Sequence, residues 1–244
     1  MSGNWQEFLK KQRDVYGQIR AKQVDLHRSG TEVEQTWAAR RGAFGIALLH
    51  PFKIADQFAE LSYKISQEVP AVEYRPWDIH TSLVGTPFEQ PFLYKPNDKE
   101  HRRVLRALVR VATKTAERFG NLGCPILYRS YLYTPQAVIA AGQPQPMFID
   151  LVEELRAECV AEGLAEVRTT WGAHATISRF TSKCPADNLG GLIPLLERSS
   201  VRGPGISFAT QIAVGYSLWG LSPEFPGDAE YNGHFAPYQK FKLC

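Results

Sequence analysis

Apolar residues recur along this chain in blocks that switch between helical and extended spacing. In the polar N-terminal stretch, Trp5, Phe8, Leu9, Tyr16 and Ile19 fall at helical intervals, and Asn4 followed by Glu7 has the form of a helix start. This predicts a helical extension over 1–41 lying on the main body; a lid or substrate-contacting arm is the alternative. Gly42–His50 is a short apolar run and predicts a buried strand. Pro51 ends it, and Ile54, Phe58, Leu61 and Ile65 predict a helix over Phe52–Val69. Tyr74–Val84 reads as a strand. After a loop with Pro87, Pro91 and Pro96, Asn97 or Asp98 caps a helix running to about Phe119. Strands follow over Ile126–Tyr133 and Ala137–Ala141, a helix over Met147–Glu162, a strand over Val167–Phe180, a poorer helix over Pro185–Glu197 and a last strand region over Ile206–Trp219. The tail from Leu221, with Pro223, Pro226, Pro237, Gly227 and Gly233, is expected to be irregular.

Two of the strands carry the same letters. Trp77-Asp78-Ile79-His80-Thr81-Ser82-Leu83 matches Trp171-Gly172-Ala173-His174-Ala175-Thr176-Ile177, both reading Trp-x-x-His-x-(Ser/Thr)-(Leu/Ile). The order of elements puts one copy in each half, as in an internal duplication. It predicts an α+β protein of two pseudo-symmetric lobes, with antiparallel sheets flanking a central groove and helices outside, over 42–220. Side chains two apart on a strand share a face. His80 therefore pairs with Ser82, and His174 with Thr176, on groove surfaces. Trp77, Ile79 and Leu83, and Trp171, Ala173 and Ile177, take the opposite, core-facing side.

That arrangement suits phosphodiester chemistry. Imidazole has an ordinary pKa near 6.5, so one histidine can take a proton from an attacking oxygen while another gives one to the leaving oxygen. The hydroxyls of Ser82 and Thr176 can donate to the non-bridging oxygens. Asp78 shares the face of His80 and either orients that imidazole or is simply solvated. Tyr133, Tyr74 and Trp219 are either base-stacking residues or core aromatics. His27, His50, His101 and His234 lack matched surroundings and read as surface or core residues.

Bulk properties narrow the rest. The net charge of +3 permits an anionic ligand without demanding one. No apolar run is long enough for a membrane span, and the N-terminus has no signal-peptide core, so a cytoplasmic protein (or a nuclear one, in a eukaryote) is expected. The four cysteines form no Cys-x-x-Cys pair and read as free thiols. Two histidines without a third ligand at zinc spacing are too few for a catalytic zinc centre, so no cofactor or metal is expected. The cations Arg102, Arg103, Arg106, Arg110 and Lys114 read as the solvated face of their helix.

The paired motifs resemble those of the 2H phosphoesterase superfamily, which includes the 2′,5′ RNA ligase-like proteins. His174-Ala175-Thr176-Ile177-Ser178-Arg179 is similar to that family's second motif, in which an Arg commonly follows. His80-Thr81-Ser82-Leu83 departs from it by having Ser in place of the usual Thr, as in the family's RNA 3′-end trimming branch. The resemblance covers about 42–220. It implies a metal-independent enzyme acting on 2′,3′-cyclic or 2′,5′-linked phosphates and related nucleotides, with His80 and His174 catalytic and Ser82 and Thr176 holding phosphate. The expected partner is a nucleotide or RNA end, and the expected state a monomer. Arg179, five residues after His174, falls on the opposite face of an ideal strand, and reaches the groove only if the strand bends or ends there. The alternative to catalysis is a module that binds a nucleotide or RNA end in the same groove without turnover.

Overall fold

β1 (Arg41–Leu49) shows how the chain makes room for a site. Phe44, Ile46 and Leu48 alternate with Ala43, Gly45 and Ala47; the large set is buried in the core, while the backbone and small side chains of residues 43–47 border a cleft. The computed structural model describes residues 3–33, 41–89, 94–120, 122–164, 166–219 and 234–243, with the backbone alone of Asn4, Arg41, Leu218 and Trp219.

Two helices precede β1, α1 (Gly3–Ala21) and α2 (Gln23–Ser29). After it come α3 (Phe52–Glu68), β2 (His80–Gly85) and α4 (Lys99–Arg118). Ile54, Phe58, Leu61 and Ile65 are the buried stripe of α3. Asp98 caps α4, its carboxylate accepting from the backbone N–H groups of Glu100 and His101. The chain continues through β3 (Cys124–Tyr133), β4 (Ala137–Pro144), α5 (Pro146–Ala161), β5 (Arg168–Thr169), β6 (His174–Arg179), α6 (Leu192–Ser200), β7 (Gly205–Ala209), β8 (Gln211–Trp219) and β9 (Phe235–Lys242).

The fold is α+β, with two sheets whose strand pairings are all antiparallel. One has the order β5-β2-β1-β8-β9 and the other β6-β4-β3-β7. Each holds one motif strand, β2 in the first and β6 in the second. The sheets do not correspond to the two halves of the chain: β8 and β9, from its end, complete the sheet begun by β1. Among the described residues no helix is long and apolar enough to cross a membrane.

Four expectations need correction. The strand expected over 74–84 starts only at His80, because Arg75–Asp78 forms a turn in which Asp78 N–H donates to Arg75 O (2.9 Å). The strand expected over 167–180 is two strands in different sheets; residues 170–173 cross between them, with Thr170 N–H on Leu83 O and Gly142 N–H on Ala173 O, both 2.9 Å. The region 206–219 is likewise split between the sheets as β7 and β8. The tail is not wholly irregular, since β9 pairs with β8 from Phe235 to Lys242. Residues 220–233, including Pro223, Pro226, Gly227 and Gly233, lie outside the described residues.

Candidate active site

The two motif strands carry the same irregularity. On β2 the register against β1 slips between Ile46↔Val84 and Ala47↔Ser82, leaving Leu83 as the extra residue. On β6 the register against β4 slips between Val138↔Ser178 and Ile139↔Thr176, leaving Ile177 extra. Both bulges lie three residues after the histidine. A bulge shifts the inward–outward alternation by one. Residues five after each histidine therefore come to the cleft: Arg179 in one strand and Gly85 in the other. Gly45 accommodates the first bulge, since a Cβ there would stand 2.6 Å from Val84 O. The repeat thus extends beyond its letters, and it delivers a cation on one side only.

His80, Ser82, His174, Thr176, Arg179 and Tyr74 line one cleft of about 300 Å3. Tyr133 stands outside it, buried, with its hydroxyl 3.3 Å from His27 Nε2. Trp219 ends β8, and its side chain is outside the described residues. The two tryptophans of the motif are not side by side in the core. Trp77 sits on the Arg75–Asp78 turn and is 64% exposed. Trp171 lies in the crossing segment, where strand alternation does not apply, and its ring stacks on His174 with centroids 4.1 Å apart and planes 16° apart.

The imidazoles are held alike. His80 Nδ1–H donates to Asp78 O (2.7 Å), and His174 Nδ1–H donates to Gly172 O (3.1 Å), in each case the carbonyl two residues back. A carbonyl oxygen only accepts, so the proton of each neutral ring is on Nδ1, and Nε2 keeps its lone pair. Burial lowers the pKa of both below 6.5, that of His174 to about 4. The smaller influences differ. Arg179 disfavours charge on both rings, and the carboxylate of Asp78 favours it on His80 alone, against His234 and Arg179. Asp78 does orient His80, but through its main chain. Its carboxylate accepts from Arg75 N–H (2.9 Å) and sits 3.0 Å from His234 Nδ1.

Several contributors had no site role that the local sequence assigned. Phe235 of β9 packs on His80, centroids 4.9 Å apart, and His234 beside it packs on Tyr74 at 5.0 Å. From α1, buried Gln12 accepts from Ala173 N–H (2.7 Å) and Tyr16 OH donates to Ala173 O (2.9 Å), so both backbone groups of the residue before His174 are gripped. The Tyr16 ring also meets Trp171 edge-on at 5.5 Å. Gly142 allows this approach, because a Cβ there would lie 2.3 Å from Ala173 O. Helical spacing did mark Tyr16, but nothing local could say what it touches. Among the described residues no three His, Cys, Asp or Glu side chains gather as a metal site would require.

Fold and site together define a two-sheet α+β protein with one His-x-(Ser/Thr) strand from each sheet on a shared cleft. No protein-family model matches the sequence, and no curated protein does. Among solved structures, TT0787 of Thermus thermophilus is similar at 18% identity and a TM-score of 0.48, with 82% of this chain and 97% of that chain covered. E. coli LigT complexed with phosphate is similar at 15% identity and a TM-score of 0.47, covering 84% and 98%. A structure described as a phosphoesterase matches at 14% identity and a TM-score of 0.43, covering 82% and 98%.

Proposed function

We propose that this protein is a metal-independent phosphodiesterase using two-histidine acid–base catalysis on a 2′,3′-cyclic or related cyclic phosphate, or on a 2′,5′-linked or RNA-end phosphodiester. The observation that carries this reading is the matched tethering of both Nδ1–H groups to backbone carbonyls (2.7 and 3.1 Å) in a single cleft. It leaves two Nε2 atoms for proton transfer in a cleft that Ser82 and Thr176 also line.

In this reading one Nε2 removes the proton from the attacking oxygen, a ribose hydroxyl or water, as its bond to phosphorus forms. The other Nε2–H protonates the oxygen that leaves as its bond breaks. Ser82, Thr176 and Arg179 donate to the non-bridging oxygens as charge gathers there. His174, kept neutral by burial and by Arg179, suits the base. His80, whose charged form Asp78 favours, suits the acid. Burial keeps both neutral until a phosphate monoanion enters and raises their proton affinity, which supplies the acid.

The test is turnover of 2′,3′-cyclic nucleotides, 2′,5′-linked dinucleotides, ADP-ribose cyclic phosphate and RNA 3′ ends with EDTA present. Turnover of at least one, undiminished by EDTA, is expected. Binding without turnover of any would make the cleft a binding module instead.

A further inference from the structure

Asp78 and Phe235 belong to two hollows at once. They line the histidine cleft and also a second hollow, together with Glu73, Arg75, Trp77 and His234, so the two are contiguous at these residues. The turn that carries Trp77 is closed twice, by Asp78 N–H on Arg75 O and by Arg75 N–H on the Asp78 carboxylate, both 2.9 Å. Pro76 stiffens it further by fixing its own φ. The indole is thus held out to solvent at 64% exposure, with the Arg75 guanidinium 5.6 Å from its ring centre. An exposed tryptophan alone is unremarkable. One fixed on a rigid turn, backed by an arginine and next in the chain to the Asp78 carbonyl that holds His80, is a preorganised stacking surface.

The charge of this hollow selects what fits. Glu73 stands in its wall and the Asp78 carboxylate is taken up by His234 and Arg75 N–H, so a second phosphate would meet a carboxylate. A neutral flat heterocycle with amino donors is not repelled there and can donate to that carboxylate. We infer that the hollow is a nucleobase subsite in which Trp77 stacks the base of the nucleotide whose phosphate lies between His80 and His174. This rests on the phosphodiesterase reading of the cleft, and it makes a nucleotide rather than a bare sugar phosphate the ligand.

The experiment compares base-bearing and base-free ligands on the full chain carrying His80→Ala, so that turnover is slowed during the titration. Affinities for 2′,3′-cyclic AMP and ribose 2′,3′-cyclic phosphate, and for the dinucleotide ApA and its singly abasic counterpart, are measured by calorimetry with Trp77, Trp77→Phe and Trp77→Ala. The preference for the base should fall about tenfold in Trp77→Ala and less in Trp77→Phe, in line with the usual strength of base–aromatic stacking. Because Trp171 also lines the cleft, the readout is the tryptophan quenching by 2′,3′-cyclic AMP in excess of that by ribose 2′,3′-cyclic phosphate, which should be lost in Trp77→Ala. An unchanged preference in Trp77→Ala, or no preference for the base with Trp77 present, overturns the subsite. Failure of the phosphodiesterase reading looks different: the protein with both histidines turns nothing over while base-dependent binding through Trp77 persists.

Discussion

Thr81, between His80 and Ser82 but on the buried face, donates its hydroxyl proton to the backbone oxygen of His174 at 3.0 Å. The bond crosses from one sheet to the other and ties the two motif strands together next to both histidines. The remaining partners then follow. With its proton committed, Thr81 Oγ1 accepts from Tyr128 OH (2.9 Å) and from His50 Nε2–H (3.1 Å). His50 Nδ1 accepts from Ser207 OH (2.8 Å). All these side chains are buried, and burial lowers the His50 pKa to about 3, so the ring is neutral as this network requires.

Thr81→Val keeps the shape but leaves buried polar groups on His174, Tyr128 and His50 short of a partner. The expected cost is about 1–3 kcal/mol in urea unfolding. A larger loss in kcat than in KM should accompany it, and Thr81→Ser should restore most of both. Equal stability of the valine variant would mean that the cross-sheet bond contributes little.

His80→Ala and His174→Ala should each lower kcat by about 10²–10⁴-fold with the circular dichroism spectrum preserved. The double variant should be far less impaired than the product of the two, since acid and base act in one step. Wild-type turnover in either single variant would remove the two-histidine mechanism.

Because burial lowers the pKa of both His80 and His174, the proposed mechanism puts the optimum of kcat/KM on the acid side of 6.5. Asp78→Asn removes the charge that favours protonated His80 and should move the alkaline limb to lower pH. Steady-state rates across pH 4–9 decide this, and an optimum near pH 8 would contradict it.

Global stability should fall as the solution is acidified below about pH 6.5. The unfolded chain protonates its histidines there, whereas folded His50 and His174 resist until about pH 3 and 4. The unfolded state therefore binds more protons, and stability falls by up to about 1.4 kcal/mol per pH unit for each such histidine. Urea midpoints at pH 7 and pH 5 measure the slope, which should be shallower in His50→Gln.

Tyr16→Phe keeps the ring against Trp171 but loses the bond to Ala173 O. We expect kcat to fall several-fold with KM nearly constant, and the tautomer balance of His174 to shift in ¹⁵N imidazole spectra while His80 is unaffected. Unchanged His174 resonances would make α1 a packing element only.

What could be read without a structure was whatever depends on neighbours along the chain. Period-two alternation placed His80 with Ser82 and His174 with Thr176, helical spacing found α3, α4 and α5, and Asp98 announced its helix. The misreadings have one cause. A turn at Arg75–Asp78 and a crossing at 170–173 ended the alternation, so Trp77 went outward and Trp171 went onto His174. Bulges at Leu83 and Ile177 arise from pairing with β1 and β4, and they alone bring Arg179 into the cleft. Phe235, His234, Gln12 and Tyr16 reach the site from the two ends of the chain. The two His-x-(Ser/Thr) pairs and their local facing are thus written in the chain itself, because a strand's geometry repeats every two residues. Which tautomer, cation and aromatic each histidine receives is a matter of tertiary structure, because those partners are far away in sequence and are chosen by how the sheets pair and pack.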